Sequence, residues 1–170
     1  SLPQEGNVIQ WDLTLENIGI NDATNVYAEL SESSPYLTLS DNRDTLALLA
    51  TGQSQQLPLA FSGQIAARVP DQTTIPLTVT VYYDVNQSQV YNFNLVVNSP
   101  NLIRVNYAVS EISGNGDNYV DPGETISLAI TDKNNGHASL SGVVSQLYTY
   151  YNQVAISTPQ LNMGVVAAGA

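Results

Sequence analysis

Cysteine is absent from this 170-residue chain. That removes disulfides, thiolate-bound metals and a cysteine nucleophile together, and it leaves the redox compartment open. Cations are almost as scarce. Arg43, Arg68, Arg104 and Lys133 stand against fifteen acidic residues, for a formal charge of -11. Nucleic acid and anionic membrane surfaces are bound by clustered Lys and Arg, so neither is an expected partner. No apolar run approaches the roughly 18 residues needed to cross a bilayer, so no membrane insertion is expected. The first residues carry no signal-peptide pattern, but a mature or excised fragment would read the same way. Histidine occurs once, at His137, and tryptophan once, at Trp11.

What remains is a sequence 43% hydrophobic and only 11% charged, polar mainly through Asn, Gln, Ser and Thr. Its length allows one domain or two small ones. The Lys-poor, Thr/Asn/Ser/Tyr-rich balance leans towards an exported bacterial protein, extracellular or at the cell surface. Asn86-Gln87-Ser88 is a glycosylation-type triplet of the kind chance supplies.

An internal repeat organises the chain. Shifted by 117 positions, "GNVIQWDLTLENIGINDATNVYAELSESSPYLTLSDNRDTLALLATGQ" aligns without a gap on "GETISLAITDKNNGHASLSGVVSQLYTYYNQVAISTPQLNMGVVAAGA". Identities fall on turn and core positions, among them Gly6/Gly123, Asn17/Asn134, Gly19/Gly136, Val26/Val143, Leu30/Leu147 and Gly52/Gly169. Apolar character is kept where identity fails, as at Trp11/Leu128, Leu13/Ile130, Leu37/Val154 and Leu39/Ile156. Missing such a repeat would misassign the fold.

Within each copy the period is two. Ile9, Trp11, Leu13 and Leu15 alternate with polar residues, as do Ile126, Leu128 and Ile130, which predicts half-buried strands. Further strands are expected over 24–30, 36–40, 53–61, 74–83 and 89–97, with "DVNQS" as a hairpin turn. No window has a sustained helical period. Seven or so short strands in about 100 residues predict an immunoglobulin-like sandwich. The expected fold is all-β: tandem immunoglobulin-like β-sandwiches, the second incomplete. One module spans 1–100, a linker, edge strand ("LIRVNYAV") and acidic loop span 101–122, and the first half of a second module spans 123–170. Open edges there would be completed by neighbouring modules of the same protein or of another copy.

Segments such as "LTLENIG…ATNVYAELSESSPYLTLSD" and "DPGETISLAITDKNNGHASLSGVVSQL" resemble bacterial Ig-like modules of the cell-adhesion-related (CARDB-like) kind. They are similar also to modules appended to gingipain-type peptidases and other secreted multidomain proteins. The resemblance covers nearly the whole chain. It implies a fold rather than an activity, because such modules serve as stalks, spacers and binding units alike.

Chemistry has few candidates. "SGNGDNYVDPGE" matches the spacing of a calcium loop: Asn115, Asp117, the Tyr119 carbonyl, Asp121 and Glu124 fall at positions 3, 5, 7, 9 and 12 counted from Ser113. Asn118 takes position 6, where a left-handed backbone is needed. Glu111 and Asp132 are possible outer ligands. The resemblance also implies calcium at such an acidic loop, whereas the matching stretch of the first copy, "SLPQEG", lacks the carboxylates. The competing reading is a plain turn ending the linker. His137 follows a turn, and without a second His, a Cys or a nucleophile elbow no hydrolytic triad is expected. The acids Glu29, Glu32, Asp41 and Asp44 read as solvated, not as a glycosidase pair. Two tyrosine groups, Tyr148/Tyr150/Tyr151 and Tyr82/Tyr83/Tyr91, would suit sugar rings or simple cross-strand packing. The expected function is non-catalytic: a structural or adhesion module, stalk or spacer, assembling through strand exchange. The alternative is a glycan- or protein-binding accessory module of a secreted hydrolase or peptidase.

Overall fold

Eleven strands, and no helix, make up a computed structural model that describes residues 2–117 and 119–169. They are β1 (Val8–Glu16), β2 (Ala23–Glu32), β3 (Leu37–Asp41), β4 (Arg43–Leu49), β5 (Ser54–Ile65), β6 (Thr73–Tyr83), β7 (Gln87–Val97), β8 (Leu102–Ser113), β9 (Thr125–Asn134), β10 (Leu140–Gln146) and β11 (Gln160–Val166). The chain divides into two compact units, 1–99 and 100–170. The protein is all-β, of the sandwich-like, immunoglobulin-like class.

The first unit holds two antiparallel sheets, β1-β5-β3 and β4-β2-β6-β7. Period-two patterning decides which side chains meet between them. In β2, Val26, Ala28 and Leu30 are buried; in β6, Ile75, Leu77, Val79 and Val81 are buried while Pro76, Thr78 and Thr80 point outward. Phe61, Ile65 and Val97 complete this core, and Ile9, Trp11, Leu13 and Leu15 pack against it from β1. Pro76 is tolerated because β2 reaches β6 only from Leu77 to Tyr82, so no partner on that side needs its missing N–H.

Alternation fails at one place. "LPLAF" reads as Leu57, Leu59 and Phe61 inward, yet Leu59 is 57% exposed with φ 54°. The register between β1 and β5 shifts between Trp11 and Leu13, and β5 carries the extra residues as a bulge. Asp12 Oδ1 accepts the Leu59 N–H at 2.8 Å and fixes that bulge.

The second unit contains two two-stranded sheets, β8-β9 and β10-β11. β9, β10 and β11 lie 117 residues after β1, β2 and β4. β3 has no strand counterpart at 154–158. The physical reason is that β3 pairs only with β5, and no strand of the second unit stands in that position. Within 101–122, where the sequence suggests a linker, an edge strand at "LIRVNYAV" and an acidic loop, the structure has the twelve-residue strand β8.

The repeat recurs at the level of single hydrogen bonds. Asn17 Nδ2 donates to the carbonyls of Asn21 and Leu49, and its Oδ1 accepts the Gly19 N–H. Asn134 Nδ2 donates to the carbonyls of Ala138 and Val166, and its Oδ1 accepts the Gly136 N–H. Each contact is displaced by 117 positions. The Asn-x-Gly turn is thus a clamp: its amide ties the end of one strand to the end of another and to the turn between. Gly52 and Gly169, with φ 71° and 70°, occupy matching turns that need a left-handed residue.

Candidate functional site

The acidic loop joins β8 to β9, whose pairing runs from Leu102↔Asn134 to Ser113↔Thr125. Most of the sequence-derived ligand set is brought together there. Glu124, at the loop's far end, accepts the N–H groups of Asn115 on Oε1 (3.1 Å) and Asp121 on Oε2 (2.9 Å). Glu111, on β8, accepts the Gly116 N–H on both oxygens, at 3.0 and 3.2 Å. Asp117 Oδ1 accepts the Tyr119 N–H at 2.8 Å, and Asn115 Oδ1 accepts the Asp117 N–H at 3.0 Å. Asn115 Nδ2 donates to Asp117 Oδ2 and to Asp121 Oδ2, both at 3.2 Å.

At position 114 the two acids come closest to the loop backbone. A Cβ there would overlap the Oε1 atoms of both Glu111 and Glu124. Two carboxylates therefore crowd one backbone position and hold the loop by its own N–H groups. The donor set suits a hard cation in kind, since every candidate is an oxygen. The same carboxylates also accept backbone N–H groups, and the Asn115 amide nitrogen stands between Asp117 and Asp121. Among the described residues no group of three or more His, Asp or Glu side chains is placed to hold a metal ion. Asn118 lies outside the described residues, and Asp132 faces Arg104 at 4.0 Å.

The same use of acids runs through the first unit. Asp22 Oδ1 accepts the Thr51 N–H, Asp84 Oδ1 accepts both the N–H and the hydroxyl of Thr24, and Asp71 Oδ1 accepts the Ser99 N–H. Glu29 pairs with Arg43 at 3.5 Å on the sheet surface. These carboxylates lock turns and loops to strands, a role that the chain's charge alone did not disclose.

The tyrosine group of the first unit is split by the sheet. Tyr82 is the cross-strand partner of Tyr27, with ring centroids 4.6 Å apart, and the Arg43 guanidinium lies 4.1 Å from the Tyr27 centroid. Tyr83 and Tyr91 instead line an open groove of about 880 Å³ at one end of the sandwich, together with Leu15, Ile18 and Asp84. In the second unit Tyr148 and Tyr150 meet edge to face at 5.9 Å, and Tyr151 is exposed.

Exposure separates the two units more sharply than any cluster does. Among the described residues of the second unit only Asn134, Gly136 and Ala138 are buried. Ile126, Leu128 and Ile130, counterparts of the core-facing Ile9, Trp11 and Leu13, are each 38–39% exposed. Their cross-strand neighbours Val109 and Tyr107 extend the same uncovered apolar face. No protein-family model matches the chain, and no curated protein matches it significantly.

Proposed function

We propose that this chain is a non-catalytic structural and adhesion element: a stalk or spacer of tandem Ig-like modules from an exported bacterial protein. Its assembly completes open sheets with strands from neighbouring modules or from another copy. The observation that carries this reading is the uncovered apolar face of the second unit, Ile126, Leu128, Ile130, Tyr107 and Val109. Isolated two-stranded sheets are marginal in water, and an apolar face of this kind gains most by being covered. The acidic groups support the same reading, because their oxygens are engaged by backbone N–H groups of turns and strands. Sedimentation velocity of the chain across concentration is the test. Reversible association supports the proposal; a monomer up to millimolar concentration, with the second unit protected from exchange, sinks it.

Calcium enters this reading as a stiffener of the β8–β9 loop, held by Asn115, Asp117, the Tyr119 carbonyl, Asp121 and Glu124. A calorimetric titration giving heat, with a thermal gain that Asp117→Ala removes, is expected. No heat, together with unchanged thermal stability of Asp117→Ala in calcium, rejects it.

One observation favours a second reading. Tyr83 and Tyr91 in the groove offer aromatic faces beside Asp84, a pairing suited to sugar rings in a glycan-binding accessory module of a secreted hydrolase or peptidase. Glycan-array binding lost on Tyr91→Ala would favour it over the spacer.

A further inference from the structure

The two copies of the opening strand have different neighbours: β1 is paired by β5, and β9 by β8. Backbone hydrogen bonds place these neighbours on opposite edges. In an antiparallel strand, successive residues direct their N–H and C=O to alternate sides. The Asn7 carbonyl accepts from Ile65, and Asn17 donates to the Gln53 carbonyl, so the odd-numbered residues of β1 face β5. Asn135 donates to the Asn101 carbonyl, so the odd-numbered residues of β9 face β8. The register shifts in that pair fall on β8, at Val105 and Ile112, and leave β9 in regular alternation. An offset of 117 carries odd positions of β1 onto even positions of β9. The edge of β9 that β8 occupies therefore corresponds to the outer edge of β1, which has no strand partner among the described residues.

We propose that this outer edge, formed by the backbone of Val8, Gln10, Asp12, Thr14 and Glu16, is a docking site for an extended strand of the β8 kind. Occupancy of the matching edge in the second unit identifies the occupant's chemistry. Carried over with the 117-residue offset, the β8–β9 register sets Ser110 opposite Gln10, Ala108 opposite Asp12 and Asn106 opposite Thr14. It sets Val109 opposite Trp11 and Tyr107 opposite Leu13, so the occupant's apolar side extends a half-buried row of β1. The cation Arg104 comes next to Glu16, which stands where the second unit has Lys133. Strand addition of this type draws affinity from main-chain hydrogen bonds and specificity from alternate side chains. β1 itself has neither the Pro nor the Lys that commonly blunts an open edge. The inference stands on backbone geometry and does not depend on the spacer reading.

The test is hydrogen exchange on the full chain with a synthetic peptide of residues 101–113. At a free peptide concentration ten times its Kd, exchange at Gln10, Asp12 and Thr14 is expected to slow about tenfold. N-methylation of the peptide at Ala108 and Ser110, whose N–H groups face the partner strand, abolishes that protection. N-methylation at Tyr107 and Val109, whose N–H groups face away, leaves it. No protection at those three amides, protection confined to the second unit, or equal behaviour of the two methylated peptides overturns the proposal.

Discussion

Replacing Asn17 by alanine removes a clamp that joins the two sheets of the first unit, from the end of β1 to the end of β4. Three side-chain hydrogen bonds disappear, to Asn21 O, Leu49 O and Gly19 N, each 2.9 Å long. Two are exposed and count for about 0.5 kcal/mol each, and the part-buried bond to Leu49 for about 1, giving a loss of about 2 kcal/mol. For a unit of this size such a loss lowers the unfolding midpoint by about 10 °C. Trp11 is the chain's one tryptophan and packs against the core of the first unit, so its fluorescence reports that unit without interference from the second. Asn134→Ala provides the internal comparison. Its side chain is fully buried and makes the three matching bonds, and its Oδ1 also accepts the Asn101 N–H at 3.0 Å. That variant leaves the Trp11 transition in place and speeds hydrogen exchange across β9 and β11. A midpoint change under about 2 °C for Asn17→Ala, in a chain that is otherwise folded, would refute the clamp.

Other expectations follow from the same geometry. Ile75→Ala, at a site with no solvent exposure, should cost about 3 kcal/mol by the Trp11 transition, and a loss under about 1 would mean a looser core than described. Tyr82→Ala and Tyr27→Ala should be non-additive by about 1 kcal/mol in a double-mutant cycle; strict additivity would dismiss the stack as a contributor. Gly114→Ala should accelerate exchange at Asn115, Gly116 and Asp121, because the new methyl displaces the carboxylates that hold their N–H groups. Unchanged exchange there would show that Glu111 and Glu124 do not hold the loop.

Much of the fold was legible because half-buried strands write their period into the sequence. β1, β2 and β6 each show it, and the Asn-x-Gly turns mark where the clamps sit. What was illegible depended on partners. Leu59 reads as core until β5 bulges around Asp12, and residues 154–158 read as a strand until the strand they would pair with is missing. Tyr82 and Tyr83, adjacent in sequence, go to opposite faces for the same period-two reason that makes them look like one patch. At the acidic loop the residue types were visible, but not what their oxygens do. Spacing cannot say whether a carboxylate accepts a backbone N–H or waits for a cation, since both need the same atoms in a tight turn.

The open strand edges have a colloidal consequence. Backbone groups without partners attract any extended chain, yet every copy carries the same net charge of -11, and screening at physiological salt still leaves repulsion over about 8 Å. Mutual repulsion thus delays random edge-to-edge contact while leaving short-range recognition of a matched strand intact. Acidifying towards the isoelectric point, about 4.1, removes that protection, as does raising the salt concentration. Precipitates formed there should be richer in cross-strand structure than in unfolded chain.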